Sequence, residues 1–178
     1  WAATIIILAV VFFWSSSIRL SNWDLLTDST TGEKIPLAHD PHYFLRIRET
    51  LVENNGVLPE YDFMRGPGLN TPWSSEIMPR IVYWTYNIVS SINPELTLKE
   101  VNIFSPVLFF GIGILLFFIL SYVLTNKKSV ALLASIILSF IPTYLYRTMA
   151  GFSDHEAIGM VGFFAFLLSC ALALKYLD

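Results

Sequence analysis

The sequence has few charges and almost no cysteine, and these two shortages exclude several classes of protein. Only 14% of its 178 residues are charged, whereas soluble domains carry about 25%. A single cysteine, Cys170, excludes a disulfide framework and a zinc cluster, and its place in an apolar run predicts a small core residue. The net charge of −3 argues against nucleic-acid binding, which needs a basic surface.

Long apolar runs dominate what is present. Hydrophobic residues make up 54% of the chain and aromatic residues 15%. A helix needs about 20 apolar residues to cross the hydrocarbon of a bilayer. Four runs approach that length, at about 1–20, 103–124, 130–146 and 157–174. We therefore predict an all-α polytopic membrane protein in which residues 1–178 belong to one transmembrane domain.

The first apolar run begins at once, at Trp1. A signal peptide needs a charged region before its apolar stretch and a small-residue cleavage site after it, and neither is convincing here. We therefore expect a first transmembrane helix, with Arg19 marking its exit. The last residues coincide with the end of a helix, so we expect the chain to be the front part of a larger membrane protein.

Residues 21–100 form a polar loop that holds 11 of the 14 acidic residues. The pattern predicts a helix that starts at Pro41 behind an Asp40 cap and ends at Asn54-Asn55-Gly56. Its apolar positions recur at helical spacing: Phe44, Ile47, Leu51 and Val52. A turn-rich segment follows at 65–72, then a second, amphipathic helix over 77–92 at the membrane surface. A capping box at 97–100 opens the next helix.

The distribution of lysines predicts the topology. The turn with Lys127 and Lys128 contains no acid, so it should be cytoplasmic, together with Lys175. Counting spans from there places the loop 21–100 and the segment 147–156 on the same, external face. The shared side depends only on the number of spans between the two segments.

The polar groups of these two segments suggest a metal site. Asp154 and Glu156 are two residues apart, so in an extended backbone both carboxylates point the same way. Asp40 would add a third oxygen from the other loop, and three carboxylates suit a hard divalent ion such as Mg²⁺ or Mn²⁺. Histidine nitrogens could join them, from residues His39, His42 and His155.

Each of these residues also has a purely structural interpretation. Ser153 and Glu156 have the spacing of a capping box for the fourth span. Asp40 before Pro41 is a common helix cap. Arg147 at a span end could extend to the interface, or its guanidinium could hold a diphosphate. From the residues alone these alternatives stay open.

Two stretches, HDPHYFLR at residues 39–46 and RTMAGFSDHE at residues 147–156, resemble the two acidic motifs of a known family. The family is the catalytic subunit of asparagine-linked oligosaccharyltransferase, of the archaeal, AglB-like type. The resemblance extends over essentially the whole chain, including the long first loop with two helices. It implies the many-helix membrane fold of the C-type glycosyltransferases.

The resemblance also implies an activity and roles for four residues. The expected reaction moves an oligosaccharide from a dolichyl-type polyprenyl phosphate or diphosphate to the asparagine of an Asn-x-Ser/Thr acceptor, with Mn²⁺ or Mg²⁺. Carried over, Asp40 would touch metal and acceptor amide, Asp154 and Glu156 would hold the metal, and Arg147 would bind the lipid phosphate. His155 falls at the variable middle position of the second motif and receives no role.

Some family features are missing, and two other functions compete. The family's later acidic loop and its Trp-Trp-Asp-Tyr-Gly motif are absent from this sequence, so we expect the chain to be inactive alone. A protein O-mannosyltransferase typically has an Asp-Glu pair where this chain has Asp40-Pro41. A non-enzymatic transport module would use the acids only as helix caps, and it would place polar residues along the spans, which are almost free of charge.

Overall fold

The computed structural model describes residues 1–62, 64 and 77–177. The predicted turn-rich segment at 65–72 lies outside them. The described residues form α-helices joined by loops, the first of which contains a short 3-10 helix (Asp24–Leu26). This confirms the all-α class. The seven helices in these ranges are α1 (Ala2–Arg19), α2 (His39–Glu53), α3 (Ile77–Ile92), α4 (Leu98–Thr125), α5 (Lys128–Phe140), α6 (Pro142–Arg147) and α7 (His155–Leu177).

Three of these helices, α1, α4 and α7, are long and apolar enough to cross a bilayer. They correspond to the first, second and fourth predicted spans, and they identify an integral membrane protein. α4 has 28 residues, and it begins with the predicted capping box between Thr97 and Glu100. It ends at Asn126, whose left-handed backbone (φ 55°) lets its N–H bond the carbonyl of Tyr122 at 2.8 Å.

The third predicted span is two helices rather than one kinked helix. α5 ends at Phe140 and α6 begins at Pro142, and Ile141 between them has an extended backbone (φ −60°, ψ 122°). The break has a local cause: the proline ring disfavours a helical conformation in the residue before it. With 13 residues, α5 is about 20 Å long.

One prediction about a single residue is confirmed and another was wrong. α1 ends at Arg19, as predicted, and the side chain of Arg19 is fully buried. Its guanidinium bonds Thr148 Oγ1 at 2.8 Å and the Ser139 carbonyl at 3.1 Å, and it lies 3.6 Å from the centre of the Phe110 ring. Cys170 is not a core residue but is exposed on α7, where the helix presents apolar side chains outward.

The two loop helices pack on each other and on the spans. The predicted apolar face of α2 is confirmed for Phe44, Ile47 and Leu51, which form one buried cluster with Met78 of α3; Val52 is only half buried. The predicted end of α2 is confirmed too. Gly56 has a φ of +87°, and its N–H bonds the carbonyl of Leu51.

The segment between α6 and α7 is held in place by backbone hydrogen bonds to other parts of the chain. The N–H of Ala150 bonds the carbonyl of Arg19 at 2.9 Å, and that of Gly151 bonds the carbonyl of Ile103 at 2.9 Å. The carbonyl of Gly151 accepts from the N–H of Leu37 at 3.0 Å. α1, α4 and the first loop therefore all fix the position of this segment.

Gly151 provides a test of this arrangement, because its φ of +85° suits glycine and a Cβ would lie 2.7 Å from Leu26 Cδ1 and 3.2 Å from the Leu37 nitrogen. We expect Gly151→Ala to lower the free energy of unfolding by about 1–3 kcal/mol. Thermal unfolding of the detergent-solubilised protein measures the change. Gly159→Ala is the matched control, since nothing lies within 4 Å of its Cβ position in helix α7. Equal melting temperatures for the two variants would contradict the prediction.

Candidate functional site

Asp154 lies directly before the first residue of α7 and is almost fully buried, with 3% of its surface exposed. Its Oδ1 accepts a hydrogen bond from the backbone N–H of His155 at 2.6 Å and lies 2.5 Å from His155 Nδ1. The start of a helix carries free N–H groups and a partial positive charge, both of which favour a carboxylate. The helix start therefore stabilises the Asp154 carboxylate without a bound ligand.

The predicted capping box at this helix start is not formed. The hydroxyl of Ser153 is buried without a hydrogen-bond partner among the described residues. Glu156 does not reach back to it, since its Oε1 pairs with Arg147 Nη1 at 2.9 Å. Asp154, one residue later than predicted, bonds the first N–H of α7 instead.

Arg147 and Glu156 form an ion pair at the edge of the site. Their side chains are 48% and 32% exposed, and the Arg147 guanidinium also lies 4.7 Å from the centre of the Phe152 ring. The side chain of Arg147 is thus already paired with an acid, and about half of its surface is accessible. The second oxygen of Glu156, Oε2, is buried and has no partner among the described residues.

Asp40 does not cap α2 as predicted. The helix begins two residues earlier than expected from a cap at 40, with Ala38 as the N-cap and Pro41 at the third helical position. Asp40 is an exposed residue in the first turn, where its negative charge complements the helix dipole. It makes no hydrogen bond or ion pair with another residue in the part of the chain that the structure describes.

Contacts along α2 bring the two acidic motifs together. The Phe44 ring lies 6.0 Å from the ring of His155, and Arg48 Nη2 donates to the carbonyl of Ser153 at 3.3 Å. Residues four apart in a helix share a face, so Asp40 lies on the same face one turn before Phe44. Helix α2, which carries the first motif, therefore packs against the second motif.

The donor set fits a hard divalent cation in part. Glu156 lies within electrostatic range of Asp154, and its orphaned Oε2 is an unused buried acceptor. Mg²⁺ commonly binds one or two carboxylates and keeps waters and phosphate as its other ligands. Within the described ranges no three His, Cys, Asp or Glu side chains converge, so the third ligand, Asp40, stays a prediction. The three histidines, His39, His42 and His155, are exposed.

Arg48 is a site residue that the sequence reasoning missed. Its side chain is fully buried, with hydrogen bonds to Asn102 Oδ1, Met78 Sδ and the Ser153 carbonyl. Burial lowers the pKa of Arg48 to about 9, and the nearby charge of Asp154 opposes that shift. A signal was present: position 48 is four residues after Phe44, on the apolar face of α2, where a cation needs a specific partner.

Comparison with known proteins agrees with this geometry. Residues 3–175 match the family model described as oligosaccharyl transferase STT3, N-terminal. The chain is 27% identical to a dolichyl-phosphooligosaccharide-protein glycotransferase of Methanocaldococcus jannaschii, over 86% of this chain and 19% of that protein. It is 25% identical to dolichyl-phosphooligosaccharide-protein glycotransferase 1 of Archaeoglobus fulgidus, over 96% of this chain and 27% of that protein.

A third relative, from Methanococcus voltae and with the same printed function, is 24% identical over 86% of this chain and 19% of its own length. The chain thus spans between a fifth and somewhat more than a quarter of the curated relatives that it matches. The family model covers nearly all of the chain, and it includes both acidic motifs and the spans between them. The chain belongs to the oligosaccharyl transferase STT3 family, as part of its N-terminal region.

Proposed function

We propose that the protein containing this chain transfers an oligosaccharide from a dolichyl-type polyprenyl phosphate or diphosphate to asparagine in an Asn-x-Ser/Thr acceptor. Family membership and the printed functions of the relatives support oligosaccharide transfer to protein. The observation that carries the proposal is the contact of α2 with the second acidic motif, through Phe44 with His155 and Arg48 with Ser153. It supports the proposal because it packs the helix that carries Asp40 against the segment that carries Asp154 and Glu156.

The proposed roles follow from the surroundings of each side chain. Asp154 and Glu156 are the adjacent carboxylates and would hold Mn²⁺ or Mg²⁺. Asp40 is exposed on the neighbouring helix and would accept hydrogen bonds from the acceptor amide. A divalent ion held by these residues would supply a Lewis acid that neutralises charge on the departing phosphate. The amide nitrogen is a weak nucleophile, so its positioning by a carboxylate contributes directly to the rate.

Arg147 would bind the phosphate of the lipid donor. A guanidinium presents a planar fork of N–H groups that matches two phosphate oxygens. In the structure one arm of the fork contacts Glu156 while about half of the side chain is accessible. Since Arg147 and Glu156 are paired, a phosphate and a cation that arrive together would each replace one half of the ion pair.

The site would face the outside of the membrane. The turn that follows α4 carries Lys127 and Lys128 and no acid, and lysine-rich short turns stay in the cytoplasm. The first loop and the segment 147–156 are in contact with each other and are separated from that turn by the length of α4. An external site would receive the lipid donor after its transfer across the bilayer.

The metal and carboxylate roles are tested with the full-length protein, purified and assayed for glycan transfer to a sequon peptide in Mn²⁺ or EDTA. We expect EDTA, Asp40→Ala and Asp154→Ala each to abolish transfer, because each removes part of one charge-neutralising site. Glu53→Ala is the control, an exposed acid at the other end of α2, and it should transfer at the wild-type rate. Transfer that persists in EDTA and in both site variants would leave the acids as helix caps, as in a transport module.

The phosphate role of Arg147 is tested by steady-state kinetics with varied lipid donor. We expect Arg147→Met to raise the KM for the donor about 10- to 100-fold, which is the loss of a charge-assisted hydrogen bond. The KM for the acceptor peptide should not change. Arg147→Lys should recover part of the affinity, since it restores the charge without the fork. Equal increases in both KM values would show that Arg147 only maintains the shape of the site.

A further inference from the structure

Arg48 is a fully buried cation beside Asp154, and the proposed function has no use for it. We propose that Arg48 is a positioning residue that fixes the backbone before Asp154 and so orients the Asp154 carboxylate for its ligand. The inference rests on the proposed function, because it assigns a purpose to Asp154. It concerns a side chain that touches neither the acceptor nor the phosphate.

The first support is the convergence of four parts of the chain on one guanidinium. Arg48 comes from α2, Asn102 from α4 and Met78 from α3, and the carbonyl of Ser153 comes from the second motif. The planar fork of arginine can bond several acceptors at fixed angles, which an ammonium group cannot do. The position of residue 153 is therefore tied to three helices at once.

The second support is the charge balance. None of the three groups that accept hydrogen bonds from Arg48 carries a charge, so its positive charge is not neutralised by direct contact with them. Asp154 is the acid whose charge acts on it, and Asp154 is itself almost fully buried. Buried charges are retained where an opposite charge compensates them. The Arg48 charge therefore favours an inward position of the Asp154 carboxylate.

The third support is the contrast between the two sides of Asp154. On its C-terminal side the carboxylate bonds the backbone N–H of His155 and lies beside the His155 ring, whose side chain is 69% exposed. On its N-terminal side the peptide is buried and bonded to Arg48. The hydroxyl of Ser153 has no partner among the described residues, so it does not hold this peptide in place. The N–H of Asp154 bonds the Phe152 carbonyl at 2.9 Å, which is a contact within the segment itself. The hydrogen bond from Arg48 ties this peptide to another helix.

Positioning and simple electrostatics predict opposite results for metal binding. If Arg48 acted only as a nearby positive charge, its removal would let a divalent cation bind more tightly. If it positions Asp154, its removal loosens the ligand and weakens binding. Groups that orient metal ligands typically change metal affinity or activity by about 10- to 100-fold when they are removed. Two substitutions, one that keeps the charge and one that does not, separate these effects.

The experiment uses the full-length protein without substrates, in wild-type form and as Arg48→Lys and Arg48→Met. Electron paramagnetic resonance of free Mn²⁺ gives the dissociation constant. Hydrogen–deuterium exchange without metal reports on the amides of residues 148–156. We expect both variants to bind Mn²⁺ more weakly, Arg48→Met by about 10- to 100-fold and Arg48→Lys by less. Both should show faster exchange at the amides of Asp154 and His155.

Lys34→Met is the control for a general loss of stability. Lys34 is a half-buried cation of the same loop that bonds the Trp23 carbonyl and Thr27 Oγ1, away from the second motif. It should lower the melting temperature without changing Mn²⁺ affinity or the exchange of residues 148–156. Wild-type Mn²⁺ affinity in Arg48→Met, tighter binding, or unchanged exchange would overturn the inference. If wild-type protein binds no Mn²⁺, the proposed metal role fails, and the exchange measurement alone decides the role of Arg48.

Discussion

The polar segment between α6 and α7 must satisfy its backbone groups among apolar helices, and much of the structure serves that requirement. Irregular backbone at membrane depth is tolerated only where protein supplies its hydrogen bonds. Here the hydrogen-bond partners are the carbonyls of Arg19 and Ile103, the N–H of Leu37 and the side chain of Arg48. The first loop therefore does more than cover the segment, since it completes the segment's hydrogen bonding.

The two buried arginines divide this work between them. Arg19 binds the beginning of the segment, through Thr148 and Ala150, whereas Arg48 binds it at Ser153. Neither pairs directly with a carboxylate in the part of the chain that the structure describes. Carbonyl oxygens, a hydroxyl and the Phe110 ring stabilise them instead. The acids of the segment are therefore not held by direct ion pairs with these two arginines.

Local patterns in the sequence were enough to predict the helices, because apolar length and caps act within one element. The capping box at Thr97, the apolar face of α2 and its stop at Gly56 all depend on neighbours in the chain. The burial of Arg19 and Arg48 was not predictable in this way, because it depends on contacts 30 to 129 residues away. Arginine is usually a surface residue. The burial of these two arginines is visible only once the helices are packed together.

The candidate site was predictable as a set of residues and less so as a geometry. The motifs at 39–46 and 147–156 identified Asp40, Asp154 and Glu156, and the contacts of α2 bring the two motifs together. The helix caps, however, were predicted at the wrong residues, Ser153 for α7 and Asp40 for α2. A helix that starts one or two residues earlier or later has nearly the same local sequence pattern. The packing of the helix decides where it starts.

The length of α4 has a consequence for the position of the second motif. Its 28 residues extend about 42 Å, some 12 Å more than the hydrocarbon core. The contacts to the first loop and to the second motif are made by Asn102 and Ile103, in the first two turns of that helix. Because these contacts lie at one end of the helix, nearly its whole length separates the second motif from the turn with Lys127 and Lys128. A thinner or thicker bilayer would therefore shift one of these two ends relative to the hydrocarbon.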